Sequence, residues 1–480
     1  MEAAPGSQWM TGSGRSDRMA GALSVSLPLA AGLMLRLCLF KPVFDVTGDS
    51  LVYGDLAKNL LLCGRYALTR PGGELHSTLI RLPGYPLFLA LCFRLFGMEN
   101  YASAAVVQIV LDLAGCFLLA DFAAHIAPPA LSRPAARATL WLSALCPFTA
   151  SYAVMPLSET PTLFMIALAL CSAARFRARP GWGPALGFTF AVSSVSLLRP
   201  DGALVAVALV PALLAGWEAK PGPDGGGSAA RGRLLRMAVV CALLAAAPFA
   251  VWTGRNWMVF HVFQPLAPRM ANDPAEETYP GWERWVKTWC LDFVSTDEIY
   301  WNVPGQPLDL SALPARAFDS ANQHADTAAL AAAYNAHQQL TPTLDRHFGK
   351  LAGERVAARP LRFYLWLPLG RMVDMWLRPR VENLPIDLDW WAYANHHDET
   401  VFSWFYAGLN ALYLLLAAAG LCLRPHFWPS MLAYLLLRSA LLMTIAAPET
   451  RYTLECFPMI FVLSGVAAAA MLNRSAAFAK

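Results

Sequence analysis

Apolar runs recur along almost the whole chain, and few folds accommodate that. They fall at 20–40, 103–126, 138–155, 160–175, 184–198, 202–216, 237–254, 400–422, 429–446 and 453–471. Only 15% of the residues are charged, against about 25% in a soluble domain. Inside a bilayer every backbone polar group must be satisfied within the protein, which makes runs of this length helices. The sequence therefore predicts an all-α polytopic membrane protein with about ten transmembrane helices. Several runs are shorter than the roughly 20 residues a span needs. Short spans are tolerated where helices break at a polar site buried in protein.

The run 86–97 (PLFLALCFRLFG) is apolar but short, and Arg94 interrupts it. Read as a juxtamembrane helix on the outer surface, it leaves consistent loop charges. Arg15, Arg18, Arg133, Arg137, Arg175, Arg177, Arg179, Lys220, Arg231, Arg233, Arg236, Arg424, Arg474 and Lys480 then all face the cytoplasm, with both termini. Arg15 and Arg18 precede an uncleaved first span rather than a signal peptide. Segments 41–102, 156–160, 199–201, 255–399 and 447–452 face outward. The chain divides into an N-terminal transmembrane catalytic module (1–254, first outer loop 41–102), an outer-face insertion (255–399) and C-terminal transmembrane helices (400–480). Within the insertion, Ala315–Gln339 reads as helical and Arg362–Trp376 as an amphipathic juxtamembrane helix. The stretch 217–231 reads as a flexible linker. The basic residues mark topology and not a nucleic-acid footprint, so no nucleic-acid partner is expected. The cysteines form no CxxC pair; Cys63 and Cys290 are the two that could meet outside the membrane.

Residues 45–86 place carboxylates and aromatics just after the first span. Gly48-Asp49-Ser50 precedes a helical pattern that stops at Gly64, so Asp49 or Ser50 is the natural N-cap. A carboxylate held at that point is also what a general base requires. Asp45 is nearby in a looser setting, and Asp55 reads as a solvated face residue. Glu159 sits at the tip of a turn bracketed by Pro156 and Pro161. It is either solvated there or shares a site with Asp49. Arg65, Arg81, Arg199, Arg255, Arg269 and Arg451 recur at outer span ends. Each alone could be an interfacial arginine, but together, against the usual charge bias, they favour an anionic headgroup. Arg438 falls within a predicted span and calls for a buried partner, Asp112 or Glu449. His396-His397-Asp398 does not make a metal signature, since adjacent histidines on a regular element point apart. No P-loop or GxGxxG is present.

The chain resembles the GT-C class of membrane glycosyltransferases, in particular the protein mannosyltransferase-like and lipid A aminoarabinose transferase-like enzymes. The resemblance is carried, in order, by Gly48-Asp49-Ser50-x-x-Tyr53-x-x-x-Ala57-x-Asn59-Leu60, Arg81-Leu82-Pro83-Gly84-Tyr85-Pro86, Leu95-Phe96-Gly97, Leu157-Ser158-Glu159, Leu198-Arg199-Pro200-Asp201-Gly202, Arg255-Asn256 and Glu449-Thr450-Arg451-Tyr452. It implies transfer of a sugar from a polyprenyl-phosphate lipid to a lipid, glycan or protein acceptor. The reaction would run on the outer face of a cell membrane, the bacterial inner membrane, with inversion. It implies Asp49 and Glu159 as catalytic carboxylates. Arg81, Arg255, Arg269 and Arg451 become candidates for the donor phosphate, and Asp45, Tyr53, Tyr85, Arg199, Glu449 and Tyr452 for the substrate pocket. A divalent cation held by the two carboxylates is left open. Some members carry Glu-Lys ahead of Pro-Pro. This chain has Pro83-Gly84-Tyr85-Pro86, with Arg81 as the nearest cation, which sets it apart from aminoarabinose transfer to lipid A. The alternatives are a lipid-linked sugar transporter or flippase, and a non-catalytic envelope-glycan assembly subunit.

Overall fold

The computed structural model describes residues 15–215, 227–274 and 276–478. Most of the 217–231 stretch, with Lys220 and Lys480, lies outside the described residues, as do the side chains of Arg15, Arg18 and Arg474. Helices dominate. In chain order they are α1 (Arg15–Val43), α2 (Asp49–Cys63), α3 (Gly84–Phe96), α4 (Tyr101–Ile126), α5 (Ser132–Ala144), α6 (Pro147–Ala153), α7 (Glu159–Ala178), α8 (Trp182–Leu198), α9 (Ala203–Ala215) and α10 (Gly227–Phe260). The insertion holds α11 (Pro280–Lys287), the single turn α12 (Phe293–Ser295), α13 (Ala321–Asn335), α14 (Pro342–Ala358) and α15 (Leu367–Leu377). Then come α16 (His397–Cys422), α17 (Trp428–Leu442) and α18 (Phe457–Phe478). One antiparallel hairpin, β1 (Ala67–Thr69) with β2 (Leu75–Ser77), follows α2.

Among the described residues six helices are long and apolar enough to cross a membrane, and four shorter apolar helices accompany them: α3, α8, α17 and the stretch Pro200–Ala215. The bundle has a clear inside. Of its most apolar window, the segment Thr450–Asn473 buries 83%, whereas Arg231–Phe260 buries only 6%. The last helix is thus central, packed on α5 and α16, and α10 presents its leucines and valines outward. The run 138–155, expected as one span, is two helices. Pro147 removes a backbone donor and starts α6 afresh after Cys146. The run expected from 453 opens as a 3-10 turn, Thr450–Cys456, before α18.

All but the last residue of the 86–97 run lies within α3, which turns Tyr85, Leu89 and Phe93 inward and leaves Leu87, Leu91 and Leu95 exposed. In the insertion three tryptophans build a core of their own, while Trp257, Trp301, Trp366 and Trp391 are exposed. Trp282, Trp285 and Trp289 pack with Phe348 and Tyr334, joining α11, α13 and α14. Helix α14 has no counterpart in the sequence reading, although Thr341 caps it by accepting from the Leu344 amide. Cys290 is buried in that core, Cys63 is exposed on α2, and both thiols are free, so the pairing left open between them is not made.

Candidate active site

Helix α2 begins and ends where its glycines allow. Gly48 is the N-cap, and Gly64, left-handed at φ 63°, closes the helix with its N–H donating to Leu60 O at 3.1 Å. Asp49 is therefore the first helical residue and not a side-chain cap. Its carboxylate is used elsewhere. Arg81 Nη2 donates to Asp49 Oδ1 at 2.7 Å, and Arg451 Nη2 lies 3.4 Å from Oδ2.

From Asp49 a chain of ion pairs runs inward. Arg451 also engages Glu449 and stands 3.8 Å from Glu159 Oε1. Arg199 Nη1 donates to the same Glu159 oxygen at 3.1 Å, and its Nε reaches Glu455 at 2.6 Å. Arg438 then lies between Glu455 at 2.7 Å and Asp201 at 2.8 Å, and donates through Nε to the Tyr452 carbonyl. Four guanidiniums thus alternate with five carboxylates. Exposure falls along the chain. Asp49 is 26% exposed, Glu159 2% and Arg438 not at all. Asp49, Arg81 and Arg451 form the accessible rim, and Arg199, Glu455 and Arg438 the floor.

Local structure explains the convergence. Ser50 Oγ donates to the Pro156 carbonyl at 3.1 Å, which fastens the start of α2 to the turn before Glu159. Glu159 is the first residue of α7, where a carboxylate complements the helix dipole. Arg199 is the extended residue between α8 and the Pro200–Gly202 turn. Buried Arg380 holds the Thr450–Cys456 turn by donating to the Thr450 carbonyl at 2.8 Å and to Thr453 Oγ1 at 2.6 Å. Gly84 starts α3 so close to α8 that a Cβ there would lie 2.6 Å from the Leu197 carbonyl carbon. That contact seats the segment carrying Arg81 beside Arg199. Gly84→Ala is expected to cost about 1–3 kcal/mol, because backbone and not a flexible side chain must move. A thermal melt of the detergent-purified variant checks this, and an unchanged midpoint would contradict it.

Electrostatics follow from the pairing. Burial by itself would raise the Asp49 carboxyl, but Arg81 and Arg451 outweigh it and hold the group below its ordinary value. Burial dominates at Glu449 and pushes that carboxyl up despite Arg451. Glu159 Oε2 is buried and has no hydrogen-bond partner. Such an orphaned acceptor demands an explanation.

The other candidates divide. Tyr53 lies one turn after Asp49 and meets Tyr85 edge-on, with ring centroids 4.9 Å apart. Tyr452 sits beneath the Arg199 and Arg451 guanidiniums at 5.7 and 5.6 Å. Tyr85 does not face a pocket: it is fully buried, and its hydroxyl donates to Gln108 Oε1 at 2.7 Å. Asp45 is exposed, and its carboxylate accepts from its own loop at Val46 N and Thr47 Oγ1. Arg255 is not in the cluster. It donates to the Thr78 and Tyr66 carbonyls and stacks against Tyr66, Trp252 and Phe260. Arg269 is 81% exposed and, among the described residues, reaches only Glu283, at 4.0 Å. Asp49 and Glu159 are joined through Arg451, so a cation between them would meet a guanidinium.

Arg438 pairs with neither residue expected for it. Asp112 is taken by Arg36 on α1, and Glu449 by Arg451. Asp201 and Glu455 were missed as site residues. The available signal was a carboxylate just inside the last apolar run, which is rare without a partner. His396 faces Asp387 and Asp389, at 3.3 and 3.2 Å, and not His397.

No family model and no curated protein matches the chain. Solved structures do. The Archaeoglobus fulgidus oligosaccharyltransferase tethered with an acceptor peptide is similar over 94% of this chain and 50% of its own, at 13% identity and a TM-score of 0.48. ArnT from Cupriavidus metallidurans bound to undecaprenyl phosphate is similar over 94% and 78%, at 16% identity and a TM-score of 0.39. Archaeoglobus fulgidus AglB in complex with an inhibitory peptide and a dolichol-phosphate is similar over 95% and 52%, at 12% identity and a TM-score of 0.45. The chain spans about half the length of the oligosaccharyltransferase. These structural neighbours are GT-C membrane glycosyltransferases.

Proposed function

We propose that the chain transfers a sugar from a polyprenyl-phosphate lipid to an acceptor hydroxyl or amine, on the outer face of the membrane and with inversion. The observation that carries this reading is the rim: a solvent-accessible carboxylate, Asp49, held between two guanidiniums, Arg81 and Arg451. A phosphate and a base site are then adjacent. Arg81 and Arg451 present N–H groups suited to phosphate oxygens, and the charge they stabilise grows as the sugar–phosphate bond breaks. Asp49 takes the acceptor proton while the acceptor attacks the anomeric carbon. The phosphate leaves from the opposite face with the bonding electrons. The resting ion pairs keep Asp49 weakly basic. When a phosphate competes for Arg81 and Arg451, the carboxylate loses its partners and becomes a better base.

Two further features support the reading. Glu159 Oε2 offers a buried acceptor to a ligand hydroxyl. An open apolar groove lined by Leu29, Leu33, Leu113, Phe117, Phe164 and Leu168 runs between α1, α4 and α7. It begins about 7 Å along α7 from Glu159, at 1.5 Å per residue, within reach of an isoprenoid tail. The test is binding of polyprenyl phosphate to protein in nanodiscs. Arg81→Ala is expected to weaken it by roughly tenfold or more, the loss of one charge-assisted contact of about 1.5–3 kcal/mol. Equal affinity in wild type and Arg81→Ala would remove the phosphate from this rim.

A further inference from the structure

We propose that His76, Asp273 and Glu276 form a divalent-cation site that ties the outer hairpin to the chain leaving α10. His76 is the central residue of β2, and the two carboxylates follow α10 by more than a turn. One ligand atom from each residue lies within 4.8 Å of the other two. His76 Nε2 stands 3.4 Å from Asp273 Oδ2. Ligands about 2.0–2.1 Å from a tetrahedral zinc ion are themselves roughly 3.4 Å apart, so this pair already has the spacing of two zinc ligands.

The atoms are also left in the state a ligand set requires. His76 Nε2 is buried and makes no hydrogen bond, and Asp273 is only 2% exposed. A buried nitrogen facing a buried carboxylate without a hydrogen bond between them needs an explanation, and a cation shared by the two supplies one. Asp273 is held in orientation by its other oxygen, which accepts from the Leu79 amide at 2.7 Å, as second-shell bonds orient metal ligands. Glu276 lies at the surface, with Oε2 accepting from the Asp273 amide at 2.7 Å, which keeps its carboxylate beside the pair. One imidazole and two carboxylates, with a fourth position for water, suit Zn²⁺ better than Ca²⁺ or Mg²⁺. The second acidic group with a histidine, Asp387, Asp389 and His396, differs. Both ring nitrogens of His396 already face carboxylates, and the aspartates are exposed.

The consequence is positional. Arg255 pins the hairpin to α10 through the Thr78 and Tyr66 carbonyls, and the ion supplies a second tie. Leu79, bonded to Asp273, is two residues before Arg81, which holds Asp49.

The test uses the full chain in detergent, stripped with chelator and titrated with Zn²⁺ or Co²⁺ alone. The expected result is a saturable single equivalent, a visible Co²⁺ absorption band of tetrahedral type and a raised melting midpoint. His76→Ala should abolish all three. Asp273→Asn, which retains an oxygen for the Leu79 amide, should do the same. Glu276→Gln at the surface keeps the test sound if the other two variants do not fold: it must lose the band intensity. Absence of saturable binding in wild type, or undiminished binding in Glu276→Gln, would overturn the site. Metal content is read without any substrate, so its failure leaves the transfer reaction standing.

Discussion

Replacing Asp49 with Asn is expected to lower transfer by about 10²- to 10⁴-fold, the range for losing a positioned general base. The change is nearly isosteric and lies at the partly exposed rim, so the fold should survive it. Arg81 keeps an amide oxygen to donate to, and polyprenyl-phosphate affinity should hold or rise as the competing carboxylate disappears. The pH profile gives an independent reading. The Asp49 carboxyl is depressed by Arg81 and Arg451, so the free enzyme keeps an ionised base down through the usual carboxyl range near about 3.9. The acid limb of kcat/KM assigned to Asp49 should therefore lie below that value. Arg81→Ala should move it up, since the group returns toward its ordinary pKa and burial takes it further. Asp49→Asn protein that transfers sugar at the wild-type rate would end the role of Asp49 as base.

The second large effect falls on stability. Arg438 is fully buried and lies between Glu455 and Asp201. Arg438→Ala takes away the guanidinium between Glu455 and Asp201 and leaves the two carboxylates to share Arg199. Breaking such a buried network costs about 3–5 kcal/mol. The variant should melt far below wild type or fail to accumulate. Pairing it with Glu455→Gln removes one of the two charges and should recover part of the loss, a positive coupling in a double-mutant cycle. Arg438→Ala protein with an unshifted melting midpoint would show that the floor of the site does not depend on this pair.

Much of the architecture could be read from local features. The apolar runs mark the helices because a bilayer permits little else. Gly64 ends α2 because only glycine takes φ 63° without cost. Asp49, Arg81, Glu159, Arg199, Glu449 and Arg451 stand out as charges at the ends of apolar runs, and they do meet in one chain of ion pairs. Other features were visible but read differently. Pro147 carried the signal that splits 138–155, and the Thr341-Pro342 cap that of α14.

Pairing was a different matter. Sequence position says that Arg438 needs a carboxylate but not which one, and its partners lie 237 and 17 positions away. Arg255 looks like a phosphate ligand by its place at a helix end, yet three aromatic rings and two carbonyls enclose it. Tyr85 lies in a motif full of site residues and is buried, because α3 turns that face toward α2 and α4. What the sequence determined alone was the solvent each segment prefers and where helices stop, since hydropathy and backbone dihedrals act over a few residues. Only the tertiary structure decided which charge meets which, because ion pairs across the bundle depend on how α2, α7, α8, α17 and the Thr450–Cys456 turn pack.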